Sequence, residues 1–134
     1  MHEEEKDTHY VFSDHFDRQF LEELYSGDTE AAAEIFKSSL VQIAEELTLA
    51  EDRARSGDIA GLRKIFHKIK PLFGYMGLLS VQDFVQHFED QCNDSVLMTD
   101  VQVAYDNIKE IIREAISLVR EEHHRLSDFN NKRA

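Results

Sequence analysis

Of the seven histidines in this 134-residue chain, one stands in chemically suggestive company. Arg63, His67, Lys70 and Gly74 fall at i, i+4, i+7 and i+11 within Leu62–Leu79, LRKIFHKIKPLFGYMGLL. On a helix that spacing sets them along one face. Leu62, Phe66, Ile69, Phe73 and Met76 form a separate apolar stripe, so the histidine row is expected to face solvent. The flanking cations oppose a second proton on the imidazole and favour a free nitrogen lone pair at neutral pH. They would also neutralise an anion attached to that nitrogen. Gly74 forgoes ~1 kcal/mol relative to alanine in a helix interior. The space it leaves suits a bulky partner, so arginine at 74 is expected to obstruct docking with little effect on stability. Pro71 cannot donate to the carbonyl of His67 and is expected to kink or loosen the helix. The row describes an accessible, basic-flanked nucleophile.

The surrounding composition narrows what such a nucleophile serves. The net charge is −12, which disfavours nucleic acid and anionic membrane surfaces as partners. Yet Ile59–Gln82 contains no Asp or Glu and holds Arg63, Lys64, Lys68 and Lys70. No apolar run approaches the ~18–20 residues that span a bilayer. The acidic start MHEEEKDTHY does not read as a signal peptide. A single cysteine, Cys92, forms no intrachain disulfide and suits a reducing cytosol, so the expected location is cytoplasmic. Its place beside Phe88 on an apolar helical face points to the core.

Five helices must position the row. Ser13 or Asp14 caps a short first helix to about Ser26, with Phe16, Phe20 and Leu24 at four-residue steps. A long second helix, about 30–55, carries Ala32, Phe36, Leu40, Ile43, Leu47, Ala50 and Ala54 on one stripe. Ser56-Gly57 ends it and Asp58 caps the third, which bears the histidine row and ends near Gly77. Ser80 and Asp83 suggest a capping box for a fourth helix burying Val81, Phe84, Val85, Phe88 and Cys92. The fifth runs from Thr99 or Asp100 to about Arg125. The expected fold is all-α: an up-and-down antiparallel four-helix bundle with a short N-terminal capping helix. Residues 1–13 are expected to be a flexible acidic tail, 14–126 the bundle, and 127–134 a frayed C-terminal tail.

From His67 the sequence HKIKPLFGYMGL resembles the signature of histidine-containing phosphotransfer (HPt) domains. That signature has His, an aliphatic residue two on, Lys three on, a small residue seven on and Gly ten on. His67, Ile69, Lys70, Gly74 and Gly77 match it. Pro71 stands where the family often has Gly, and Leu72 where a small or hydroxylated residue is common. The resemblance implies a phosphorelay intermediate of two-component signal transduction. His67 would accept a phosphoryl group from a receiver-domain aspartate and pass it to another receiver, with Lys70 touching the phosphoryl oxygens. Such carriers have no ATP site or cofactor of their own; the receiver brings Mg²⁺. A fourth-helix residue, often Gln in the family, can hydrogen-bond the histidine. Spacing points to Glu89, an acid, with Gln86 one turn earlier. Receivers, including that of a hybrid sensor kinase, would dock over Arg63, Lys64, Lys68, Pro71, Gly74, Tyr75 and Leu78, on a monomer.

Other groups offer less. Adjacent His123 and His124 point to different sides of a helix and chelate poorly, so no metal site is expected. Gly74-Tyr75-Met76-Gly77 lacks the GK[ST] ending of a phosphate loop. An alternative reading is a non-catalytic helical adaptor that binds a signalling partner through the His67 face. A second is the dimerisation and phosphoacceptor half of a sensor kinase. Such halves usually carry an acid directly after the histidine, where this chain has Lys68.

Overall fold

The long helices start where a carboxylate meets free backbone amides. Asp28 accepts from the Ala31 amide at 3.0 Å and Asp58 from that of Gly61 at 2.9 Å. In the computed structural model, which describes residues 9–133, the helices are α1 (Arg18–Tyr25), α2 (Thr29–Ser56), α3 (Ile59–Tyr75), α4 (Leu79–Gln91) and α5 (Met98–Arg133). Gly57, at φ 71°, closes α2. α2 packs on α3, α3 on α4, α4 on α5, and α5 returns to α2. The expected bundle is therefore present, with α1 lying across one end. Pro71 lies inside α3, and the helix continues past it to Tyr75.

The stripes read from the sequence form the core. Ala32, Phe36, Ile43 and Ala50 of α2 meet Leu62, Phe66, Ile69 and Phe73 of α3, all fully buried. Phe66, Phe88 and Tyr105 interlock across α3, α4 and α5, with ring centroids 4.7–6.3 Å apart. Burying each such ring is worth about 2–3 kcal/mol. Leu62, Phe66, Ile69 and Phe73 turn one stripe of α3 inward, and His67 lies off that stripe on the exposed side. Among the described residues no helix is long and apolar enough to cross a membrane.

Several expectations are corrected. On α1 the buried residues are Leu21 and Tyr25, with Phe16 buried just before the helix, while Phe20 and Leu24 are exposed. The helix begins later than expected and turns Leu21 onto the α3–α4 turn. Phe84 is 52% exposed, because Val85 and Phe88 take the inward face of α4. Ser80 does not cap α4. The Leu79 amide instead donates to the Asp17 carboxylate at 3.0 Å.

Both terminal assignments also change. The first eight residues of the expected tail lie outside the described residues, but Tyr10, Phe12 and Ser13 are tied to the bundle. The Tyr10 hydroxyl donates to Glu122 at 2.7 Å and the Ser13 amide at 3.0 Å, while Phe12 is buried. Glu122 is itself buried and paired with Arg125 at 2.8 Å. Residues 127–133 continue α5 rather than fray. Asn130 and Arg133 bond Thr29 at the start of α2, and Phe129 packs edge-on to Tyr10. Each end gives the other its partners, and neither half of that exchange is visible in local sequence.

Candidate functional site

α3 and α4 run antiparallel, and their facing polar residues form a ladder. Gly74, Lys70 and His67 on α3 meet Gln82, Gln86 and Glu89 on α4. The i, i+4, i+7 spacing on α4 mirrors that on α3, which is the signal in the sequence that pairs them.

At the open end of the ladder, the His67 side chain is 68% exposed. Its Nδ1 lies 2.9 Å from Glu89 Oε2. A carboxylate only accepts, so the neutral ring donates from Nδ1 and keeps its lone pair on Nε2. Nε2 has no protein partner among the described residues. The direct partner of the imidazole is thus an anion, the Glu89 to which spacing pointed, and not one of the flanking cations of α3. Glu89 is largely buried, 14% exposed, and uses its other oxygen to accept from Lys70 Nζ at 3.0 Å. Burial pushes its carboxyl up, but the hydrogen bonds and charges of Lys70 and His67 outweigh this and hold it below the ordinary carboxylate value. A depressed group contributes stability above its unfolded value, and that stability is lost as pH falls through the folded value. Glu89→Gln is therefore expected to cost about 1 kcal/mol at neutral pH. The difference from the unsubstituted protein should shrink below about pH 4, as thermal melts across pH would show.

Lys70 is 19% exposed and bonded to both Gln86 and Glu89. Gln86 thus holds Lys70 rather than the ring, and its amide donates onward to Asp90 at 2.8 Å. Of the two candidate orienting residues, only Glu89 touches His67. Arg63 lies 3.9 Å from Asp94, and Lys68 lies 2.8 Å from the buried Glu46. Three of the four cations in the basic island therefore have carboxylate partners from other segments. Lys64 has none among the described residues. Sequence reasoning missed Glu46 and Asp94 because both lie outside the island and reach it only through packing.

The docking residues divide. Tyr75 is exposed, as are Lys64 and Lys68, and Pro71 and Arg63 are partly so. Leu78 is only 5% exposed and belongs to the core cluster. The turn after α3 directs it inward, so it offers no docking surface. Gly74 is likewise buried: a Cβ there would lie 3.0–3.2 Å from the Gln82 amide, which fills the space expected to be open. Arginine at 74 must displace Gln82, so the expectation of unchanged stability is corrected to a loss. Alanine is different. Gln82 is half-buried with no side-chain hydrogen bond among the described residues, so it can yield. The helix gain of ~1 kcal/mol should roughly offset that shift. Gly74→Ala should therefore melt within about 1 kcal/mol of the natural protein, as thermal denaturation would show.

Elsewhere the chemistry is weaker. Cys92 is fully buried, and burial pushes its thiol up to about 11 despite nearby Arg63, which leaves little thiolate at neutral pH. Among the described residues His124 reaches only Asp128, at 3.5 Å. Among the described residues no three His, Cys, Asp or Glu side chains group as metal ligands.

What remains is one outward imidazole, oriented from behind, on an antiparallel helical bundle. The family model described as the Hpt domain matches residues 31–127, most of the chain. The chain belongs to the Hpt domain family. No curated protein and no solved structure matches it. Membership supports a histidine phosphotransfer role in phosphorelay, and Hpt domains in general are phosphocarrier modules rather than catalysts with their own ATP site. Hpt domains interact with response-regulator receiver domains. The match begins inside α2, so α1 and the preceding Tyr10, Phe12 and Ser13 lie outside the matched region, and the fold ties them to it.

Proposed function

We propose that His67 takes a phosphoryl group on Nε2 from the aspartyl phosphate of one receiver and passes it to the aspartate of another. The observation that carries this reading is the 2.9 Å contact between His67 Nδ1 and Glu89, with the ring otherwise exposed. It fixes the tautomer whose Nε2 lone pair faces outward. Glu89 is the positioning residue, and Lys70, one turn on, supplies positive charge toward the phosphoryl oxygens. Phosphoryl transfer depends mostly on alignment and charge neutralisation. A ring held on a rigid helix supplies the first, and Lys70 with the receiver's Mg²⁺ the second. The carrier contributes no cofactor of its own and acts as a monomer. Receivers, including that of a hybrid kinase, dock over Arg63, Lys64, Lys68, Pro71 and Tyr75. A mixed basic and apolar patch suits a transient contact with an acidic aspartate pocket.

A panel of receiver domains, each charged with a small-molecule phosphodonor and Mg²⁺, tests the reading. Acid-labile, alkali-stable label moving from a receiver to His67 and on to a second receiver supports it. Failure of every receiver to transfer, with binding to the same face intact, favours the adaptor instead.

A further inference from the structure

The acid at position 89 has a consequence for the phosphorylated ring, given the reading of His67 as phosphoacceptor. An amide can either accept a hydrogen bond or donate one, whereas a carboxylate only accepts. Glu89 Oε2 therefore favours the state of the ring that carries a proton on Nδ1. Its other oxygen is occupied by Lys70. Once Nε2 bears a phosphoryl group, a proton on Nδ1 makes the ring an imidazolium. That ring leaves as neutral imidazole, whereas the unprotonated one must leave as an anion.

We propose that Glu89 keeps phosphorylated His67 as the imidazolium, so that this Hpt domain is a short-lived, transfer-ready donor rather than a phosphoryl store. The electron balance needs no proton movement. On acceptance, the Nε2 lone pair attacks phosphorus and the receiver carboxylate leaves with the P–O electrons; the proton stays on Nδ1, still donated to Glu89. On donation, the N–P electrons return to Nε2 and the next receiver's carboxylate takes the phosphoryl group. A glutamine would suit the unprotonated ring equally, because its NH₂ can donate to the Nδ1 lone pair.

The remaining charged groups near the ring do not supply this proton hold. On α3 itself are Arg63, Lys64, Lys68 and Lys70. α4 contributes Glu89 and Asp90, the connection after it Asp94, and α2 Glu46. Such side chains ordinarily titrate far from the window between about pH 6 and 8, where imidazoles change charge. Glu89→Gln also frees Lys70 to favour the phosphoryl group. That alters the lifetime by a similar factor throughout this window and leaves the shape of its pH profile alone.

The experiment uses the full chain phosphorylated with phosphoramidate, so no receiver is needed, and His67→Gln subtracts label on other histidines. The decay of the label is followed between about pH 6 and 8 in the natural protein and in Glu89→Gln. The proposal expects a flat profile for the natural protein. For the variant it expects decay that slows by roughly tenfold per pH unit above the ring's own titration point. A second measurement needs no variant: ¹⁵N NMR of the phosphorylated natural protein should show Nδ1 protonated at about pH 7.5. Parallel decay profiles, or an unprotonated Nδ1 in that spectrum, would overturn the proposal. Absence of any label on His67 would defeat the acceptor reading itself. Label on His67 that no receiver takes up would defeat the relay reading and leave the protonation result standing.

Discussion

His67→Gln is expected to abolish receiver-dependent labelling of this chain while leaving it folded. The imidazole is mostly solvent-exposed and, among the described residues, makes one protein hydrogen bond, to Glu89. Removing it leaves Glu89 satisfied by Lys70, so no buried charge is stranded. The stability cost should stay within about 1 kcal/mol, the range of a surface substitution that loses one bond. Glutamine has no ring nitrogen with a lone pair, and its amide is a poor nucleophile, so transfer should be lost completely rather than slowed. Circular dichroism and a melting curve check the fold, and transfer from a phosphorylated receiver checks the chemistry. Label persisting in the variant with the same acid lability would move the acceptor to another histidine. His87 is exposed on α4, and His123 and His124 lie on α5, far along the chain from the ladder. The same variant separates carrier from adaptor: an adaptor binds its partner equally well with or without the ring.

The outward face of the His67 row was legible because it depends on local spacing. Arg63, His67 and Lys70 declare their shared face by helical period, and the apolar stripe of α3 declares the opposite one. The fold class followed from the same periodicities, since the stripes of α2, α3 and α5 are long enough to outvote individual residues. Contacts between elements were less legible. Glu89 was reachable by counting turns along α4, but its bond to the ring required the antiparallel register of two helices. The Asp17 cap on α4 spans 62 positions, so the local Ser80–Asp83 pattern was a plausible competitor that tertiary packing overrode. Gly74 misled for a related reason. A missing side chain signals close approach, yet the group that approaches is Gln82 of this same chain. The basic island looked unpaired because Glu46 and Asp94 come from outside it. The terminal segments misled because polar, weakly periodic sequence usually frays, whereas here the buried Glu122 gives Tyr10 and Ser13 a shared partner.

Gly77→Ala is expected to be the most damaging small substitution near the site. Gly77 adopts φ 71° in the turn between α3 and α4, and a Cβ there would come within 2.5 Å of the buried Leu21 side chain. The left-handed conformation costs a non-glycine residue about 1–3 kcal/mol. Forcing Leu21 aside adds about 1–3 kcal/mol of overpacking. The total should be near 3–4 kcal/mol, lowering the melting temperature by about 10 °C or more. Gly57 is a built-in control. It has the same φ of 71° at the end of α2 but nothing within 4 Å of its Cβ position. Gly57→Ala should therefore show the backbone strain alone, and the difference between the two variants isolates the clash. A double-mutant cycle sharpens this. Leu21→Ala alone should cost about 2–5 kcal/mol, but combined with Gly77→Ala it should cost less than the sum, because the cavity admits the new methyl. Strictly additive losses would show that Leu21 does not close this turn. The functional consequence follows from position. The Gly77 carbonyl accepts from the Asp17 amide at 2.8 Å, and the Asp17 carboxylate caps α4 through Leu79. α1 thus clamps the turn that fixes how far along α3 the α4 helix lies. A shift there moves Glu89 relative to His67, so Gly77→Ala should slow phosphoryl acceptance even at temperatures where the domain stays folded.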